Sequence, residues 1–93
     1  MMNSFTKTRE RRWRQPRSID RVLTTIESMQ GGEFTIHDVL EAIPFKHRPH
    51  ANAVAMVMNA LEADGYVVSV GTRRVSETNT ATRLWAFAQT PPP

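Results

Sequence analysis

The chain has 93 residues, 40% hydrophobic and 23% charged, and no cysteine, which bounds it to one small domain without a disulfide framework, a thiolate zinc site or a cysteine nucleophile. Its net charge of +3 is unevenly spread: residues 1–17 hold six basic groups against one acid, a local +5, whereas residues 18–93 hold six against eight, a local −2. The longest apolar run, Ala53 to Met58, falls far below the roughly 20 residues that cross a bilayer, and the first residues lack the apolar stretch of a secretory leader, so a cytoplasmic protein without membrane contact is expected.

Residues 1–17 are predicted to form a flexible basic arm, polar apart from isolated Phe5 and Trp13, with Pro16 disfavouring a helix through that point. The domain is predicted over 18–88. Ser18 suits a helix N-cap, and Ile19, Val22, Leu23, Ile26 and Met29 recur at the spacing of one helical face, which predicts a first helix over about 19–29. Gly31-Gly32 would supply the positive-φ positions that close it. Thr35 with Asp38 resembles a capping box, and Phe34 with Val39 a hydrophobic staple, so a second helix begins at Ile36, buries Ile36, Val39, Leu40 and Ile43, and ends before Pro44.

After Phe45-Lys46-His47-Arg48, Pro49 is placed in the first turn of a third helix that runs to Ala63, with Val54, Met58 and Leu61 inward and Asp64-Gly65 as its stop. The β-rich runs Tyr66 to Val70 and Arg83 to Ala88 are predicted as two antiparallel strands around a long polar loop, followed by a Pro-rich extended tail over 89–93. Leu61 is expected to plug the three-helix core, Gly65 to permit the left-handed turn off the helix, and Tyr66 and Val68 to start the strand that covers the core. Trp85 is expected in the core or at its rim. The fold class is therefore α+β, a three-helix core followed by a two-stranded antiparallel hairpin.

This element order, and the stretch Val54 to Val67 with Leu61, Glu62, Asp64, Gly65 and an apolar strand, resembles the end of the recognition helix and the first wing strand in winged helix-turn-helix regulators of bacteria, archaea and phages. The resemblance covers about 18–88. It implies double-stranded DNA binding, sequence-specific or sequence-independent, by a prokaryotic or phage-type transcriptional regulator, with the third predicted helix in the major groove. Carried over, the helix candidates are Arg48, His50, Asn52, Ala53, Met56 and Asn59. Either asparagine could meet an adenine edge, and Arg48 a guanine edge or a phosphate.

The helix itself has no Lys or Arg, so cations must come from elsewhere. Lys46, His47, Arg48 and His50 cluster at its start, Arg73 and Arg74 lie on the outward limb of the wing, and Arg83 on the return. Arg9, Arg11, Arg12 and Arg14 with Trp13 resemble basic extensions that lie on phosphates. The alternative function is a winged-helix module that binds protein through an apolar face of Ala53, Met56, Val57 and Ala60. The chain is expected to be a monomer, or a homodimer through the arm or the first helix.

His37, His47 and His50 do not make a metal site without a cysteine or a carboxylate at ligand spacing, and are read as solvated or phosphate-facing. Ser18, Ser69 and Ser76 lack a base or elbow motif, and no Gly-rich phosphate loop is present. No catalytic residue, metal ligand, cofactor or enzymatic activity is predicted.

Overall fold

In the computed structural model, residues 5–29, 32–74 and 81–89 are described. In chain order they form α1 (Thr6–Arg9), α2 (Pro16–Glu27), α3 (Ile36–Ala42), a single 3-10 turn (Phe45–His47), α4 (Ala51–Ala63), β1 (Val67–Arg74) and β2 (Ala81–Phe87). The α+β class stands, with four α-helices and an antiparallel two-stranded hairpin. Residues 1–4, residues 30–31 with the first glycine of Gly31-Gly32, residues 75–80 of the predicted polar loop and most of the predicted tail, 90–93, lie outside the described residues.

The helical periodicities are realised in the core. Ile19, Val22, Leu23 and Ile26 of α2, Val39 of α3, and Val54, Met58 and Leu61 of α4 are buried together with Ile43, Phe34, Val67 and Trp85. Ile36, Leu40 and Met29 are partly buried against this cluster. The capping box forms as expected: Thr35 Oγ1 accepts the Asp38 N–H at 3.2 Å, and Asp38 Oδ2 accepts the Thr35 N–H at 2.9 Å.

Helix starts shift by a turn or less. α2 begins at Pro16, not after Ser18, because proline at a first helical position loses no hydrogen bond and has its φ already set. Its end is a tightened turn in which the Ser28 hydroxyl donates to the Thr25 carbonyl at 2.6 Å; Gly32 is not in the left-handed region. Pro49 stands outside α4, whose N-cap is His50, with Nδ1 accepting the Asn52 N–H at 3.3 Å.

The stop of α4 is a Schellman closure. Gly65 adopts φ +86°, the Tyr66 N–H donates to the Leu61 carbonyl at 2.9 Å, and the Gly65 N–H donates to that of Glu62 at 3.1 Å. This brings Tyr66 and Val67 inward in succession and turns Val68 out, so Val68 is 44% exposed and does not cover the core. Between Ser69 and Gly71 the register shifts, with Ser69 opposite Trp85 and Gly71 opposite Leu84. Val70 is the extra residue of this bulge, and Gly71 takes φ +144° beside it. On its other edge β2 exchanges two backbone hydrogen bonds with Phe34, at 2.8 and 2.9 Å, through Trp85.

The main correction concerns the flexible arm predicted over 1–17. From Phe5 onward it is laid against the domain: Phe5 is 4% exposed, with its ring edge-on to Tyr66 at 5.3 Å and stacked on Phe87 at 5.9 Å, and Thr8 is fully buried. The two isolated aromatics are what a basic segment needs to do this, because each buries apolar area that offsets the ordering of its neighbours. Trp13 is partly buried against the same core. Phe5 takes a left-handed φ of +63° as it starts α1, a conformation its burial must sustain.

Two outcomes follow from this packing. Replacing Phe5 by Ala is expected to lower unfolding stability by about 3 kcal/mol, as for other buried phenylalanines. Gly65→Ala should cost about 1 kcal/mol from the left-handed φ alone. Urea unfolding followed by circular dichroism checks both.

Candidate nucleic-acid interface

The outward face of α4 carries Asn52, Met56 and Asn59, all exposed, with Ala53 half-buried beside them. Val57 is fully buried and Ala60 is 8% exposed, so the apolar face expected from Ala53, Met56, Val57 and Ala60 shrinks to Met56, 51% exposed, and part of Ala53. In a helix of Ala, Val and Met, spacing alone does not separate the inner from the outer small residues.

The segment between α1 and α2 lies beside this face. Trp13, Arg14 and Met56 line two adjoining depressions, one of about 670 Å3 that also takes in Arg12, Asn59 and Ala63, and one of about 420 Å3 that takes in His50, Asn52 and Ala53. Trp13 is fixed there, with its indole Nε1–H donating to the Thr8 carbonyl at 2.9 Å. The cations that α4 lacks therefore stand next to it on a different element.

Asp64, the C-cap of α4, holds that segment. Its Oδ2 accepts the Thr8 hydroxyl at 2.6 Å, and Arg11 approaches with Nε at 3.1 Å from Oδ2 and Nη2 at 3.0 Å from Oδ1. The Lys7 N–H donates to the Tyr66 hydroxyl at 3.1 Å, and Arg9 pairs with Asp20 and Glu27. The Arg11 hydrogen bond does most to hold the Asp64 carboxyl below its ordinary value, against the opposing effect of its burial, and the Thr8 hydroxyl adds to it. The same pairing raises Arg11. Of the four arm arginines expected to meet a polyanion, Arg9 and Arg11 are thus spent on internal carboxylates, whereas Arg12 and Arg14 are exposed beside α4.

Three of the hairpin and turn cations, Arg73, Arg83 and Arg48, are also tied down. Arg73 pairs with Asp38, so the β1–β2 hairpin is joined to the cap of α3. Burial works to raise the Asp38 carboxyl, but the Thr35 N–H and Arg73 together outweigh it and leave it lowered. Arg83 lies over the Trp85 ring at 5.1 Å, and Arg48 lies over Phe45 at 5.4 Å while donating to the Ile43 carbonyl at 3.1 and 3.3 Å. Arg74 is exposed on β1, and Lys46 is exposed in the turn before α4.

The structure thus gathers Arg12, Arg14, His50, Asn52, Ala53, Met56 and Asn59 on one side of α4. Lys46 and Arg48 meet at a separate depression, and Arg73, Arg74 and Arg83 sit on the hairpin. Trp13, Arg17 and Arg21 belong with these groups but were not among the predicted site residues. Trp13 was the one signal in the sequence, an aromatic between arginines. Among the described residues, no three of His, Cys, Asp and Glu stand together as metal ligands, and no helix is long and apolar enough to cross a membrane.

A scan against protein-family models, a search of curated proteins and a search of solved structures each return no match to this chain.

The two lowered carboxyls set a pH response. Each contributes stability that is complete above the unfolded carboxylate value of about 3.9 and is lost as pH falls through its lower folded value. The hydrogen-exchange protection factor of the Trp13 indole N–H is expected to hold from neutrality to about pH 4 and to collapse below it. Asp64→Asn should reduce that protection already at neutral pH, with a stability loss of about 1 kcal/mol in urea unfolding.

Proposed function

We propose that the chain binds double-stranded DNA as a small winged helix-turn-helix protein, with α3 and α4 as the helix-turn-helix pair and the β1–β2 hairpin as the wing. The observation that carries this reading is the position of Arg12 and Arg14 beside the exposed asparagines of α4. An α-helix fits the major groove, Asn52 and Asn59 are suited to adenine edges, and the neighbouring arginines supply the phosphate contacts on which affinity depends. Lys46 and Arg48 lie at the turn that leads into α4, and Arg73, Arg74 and Arg83 extend the basic surface along the wing. The role is that of a transcriptional regulator of prokaryotic or phage type, acting in the cytoplasm, without catalysis and without a cofactor.

Fluorescence anisotropy with a labelled duplex of about 20 base pairs, at about 50 and 200 mM salt, tests the proposal. Salt-sensitive binding is expected, and Arg12→Gln combined with Arg14→Gln should lower the slope of log K against log salt by about 2, one for each phosphate contact removed. Absence of salt-sensitive binding to any duplex at micromolar protein would sink it.

A second reading, a protein-binding module within a polymerase, replication or phage inhibitory complex, draws on Met56, half exposed between the two depressions that flank Trp13. Met56→Glu separates the two. A loss confined to duplex affinity favours the first reading, and loss of partner capture with duplex affinity unchanged favours the second.

A further inference from the structure

A third depression, of about 300 Å3, lies between the start of α2 and the turn that precedes α4. It differs in kind from the two beside Trp13. Their walls are mostly apolar, whereas this one is mostly polar and is lined by Arg17, Ser18, Arg21, Lys46, His47 and Arg48, with Pro49 as its apolar rim. Four cations converge without an acidic side chain in the wall. Asp20, the carboxylate nearest in sequence, is taken by Arg9.

We infer that this notch is an oxyanion site that seats one phosphate group. Arg17 and Arg21 are one helical turn apart on α2, where like charges repel in the absence of a counter-charge. Lys46 and Arg48 come from a different element and bring two more positive charges to the same space. An anion seated between them turns that repulsion into attraction.

The notch is also partly built in advance. Arg48 is held by the Ile43 carbonyl and by the Phe45 ring, and a guanidinium with five N–H donors keeps others to spare after bonding one carbonyl oxygen. Among the described residues, the side chains of Arg17, Arg21 and Lys46 make no salt bridge. Arginine forks match the oxygens of a phosphate, and the Ser18 hydroxyl adds a neutral donor. At about 30 Å3 per water molecule, the space holds a tetrahedral oxyanion together with several waters.

The phosphate could come from a duplex backbone or from free phosphate. The inference deepens the DNA reading and rests on it only for the first source.

Titration of the full chain by 1H–15N correlation spectroscopy, once with inorganic phosphate, once with chloride at equal ionic strength and once with the duplex, distinguishes the sources. Arg17→Gln combined with Arg21→Gln is the variant, both positions being exposed on α2, and its thermal unfolding confirms that it folds. Phosphate, and not chloride, is expected to shift the amides of Ser18, Arg21, Lys46 and His47 in the parent, and the double variant should lose this response. With duplex, the variant should show a salt slope smaller by about 1, which amounts to about four-fold less affinity lost between about 50 and 200 mM salt.

If the parent binds no duplex but phosphate moves those amides, the oxyanion site stands with free phosphate as its source and the DNA reading falls. If the parent binds duplex while the variant keeps its slope and phosphate acts no differently from chloride, the notch is refuted and the DNA reading survives.

Discussion

A carboxylate at the last turn of a helix faces the negative end of the helix dipole and is disfavoured there unless something positive answers it. Asp64 is in that position, and the answer comes from the other end of the chain, as the Thr8 hydroxyl and the two-point approach of Arg11. Much of the surface depends on this contact. It fixes the course of the segment between α1 and α2, which in turn fixes Trp13 and brings Arg12 and Arg14 to α4. Without it, Arg12 and Arg14 would not be held beside α4, which would present a nearly uncharged face. The aromatic contacts of Phe5 with Tyr66 and Phe87 work in the same direction from the other end of α1.

What could be read from the sequence divides along one line. Features decided within a turn or two of chain were legible: the apolar stripes of α2 and α3, the Thr35–Asp38 box, the Gly65 stop and the two strands. Features decided between distant residues were not. Thr8 and Asp64 are 56 residues apart, and nothing near either one announces the other. The pairing of Phe34 with Trp85 involves a single residue on one side, too short to leave an alternating pattern. Pro16 had two local meanings, a break or a first helical residue, and packing of the residues before it selected the second.

The same division holds for the candidate site. That basic groups cluster before α4 and along the hairpin was visible, because they are neighbours in sequence. Which of them are used internally was not: Arg9, Arg11 and Arg73 look no different in the sequence from Arg12 and Arg14. Nor could Arg17 and Arg21 be grouped with Lys46 and Arg48, since only the packing of α2 against the turn makes one notch of two short basic runs. The exposed part of α4 was overestimated for a related reason. Val57 and Ala60 are buried by neighbours whose approach no residue spacing encodes.

The carboxylate of Asp38 does two jobs with one atom: Oδ2 accepts the Thr35 N–H that starts α3 and also takes Arg73 from the hairpin. Arg73 and its partner are partly exposed, and exposed ion pairs contribute only about 0–1 kcal/mol, so the arginine is held on loan. Any external anion that recruits it must displace a resident competitor, and the helix keeps its cap when the exchange happens. The hairpin can therefore trade counter-ions without unravelling the element it leans on.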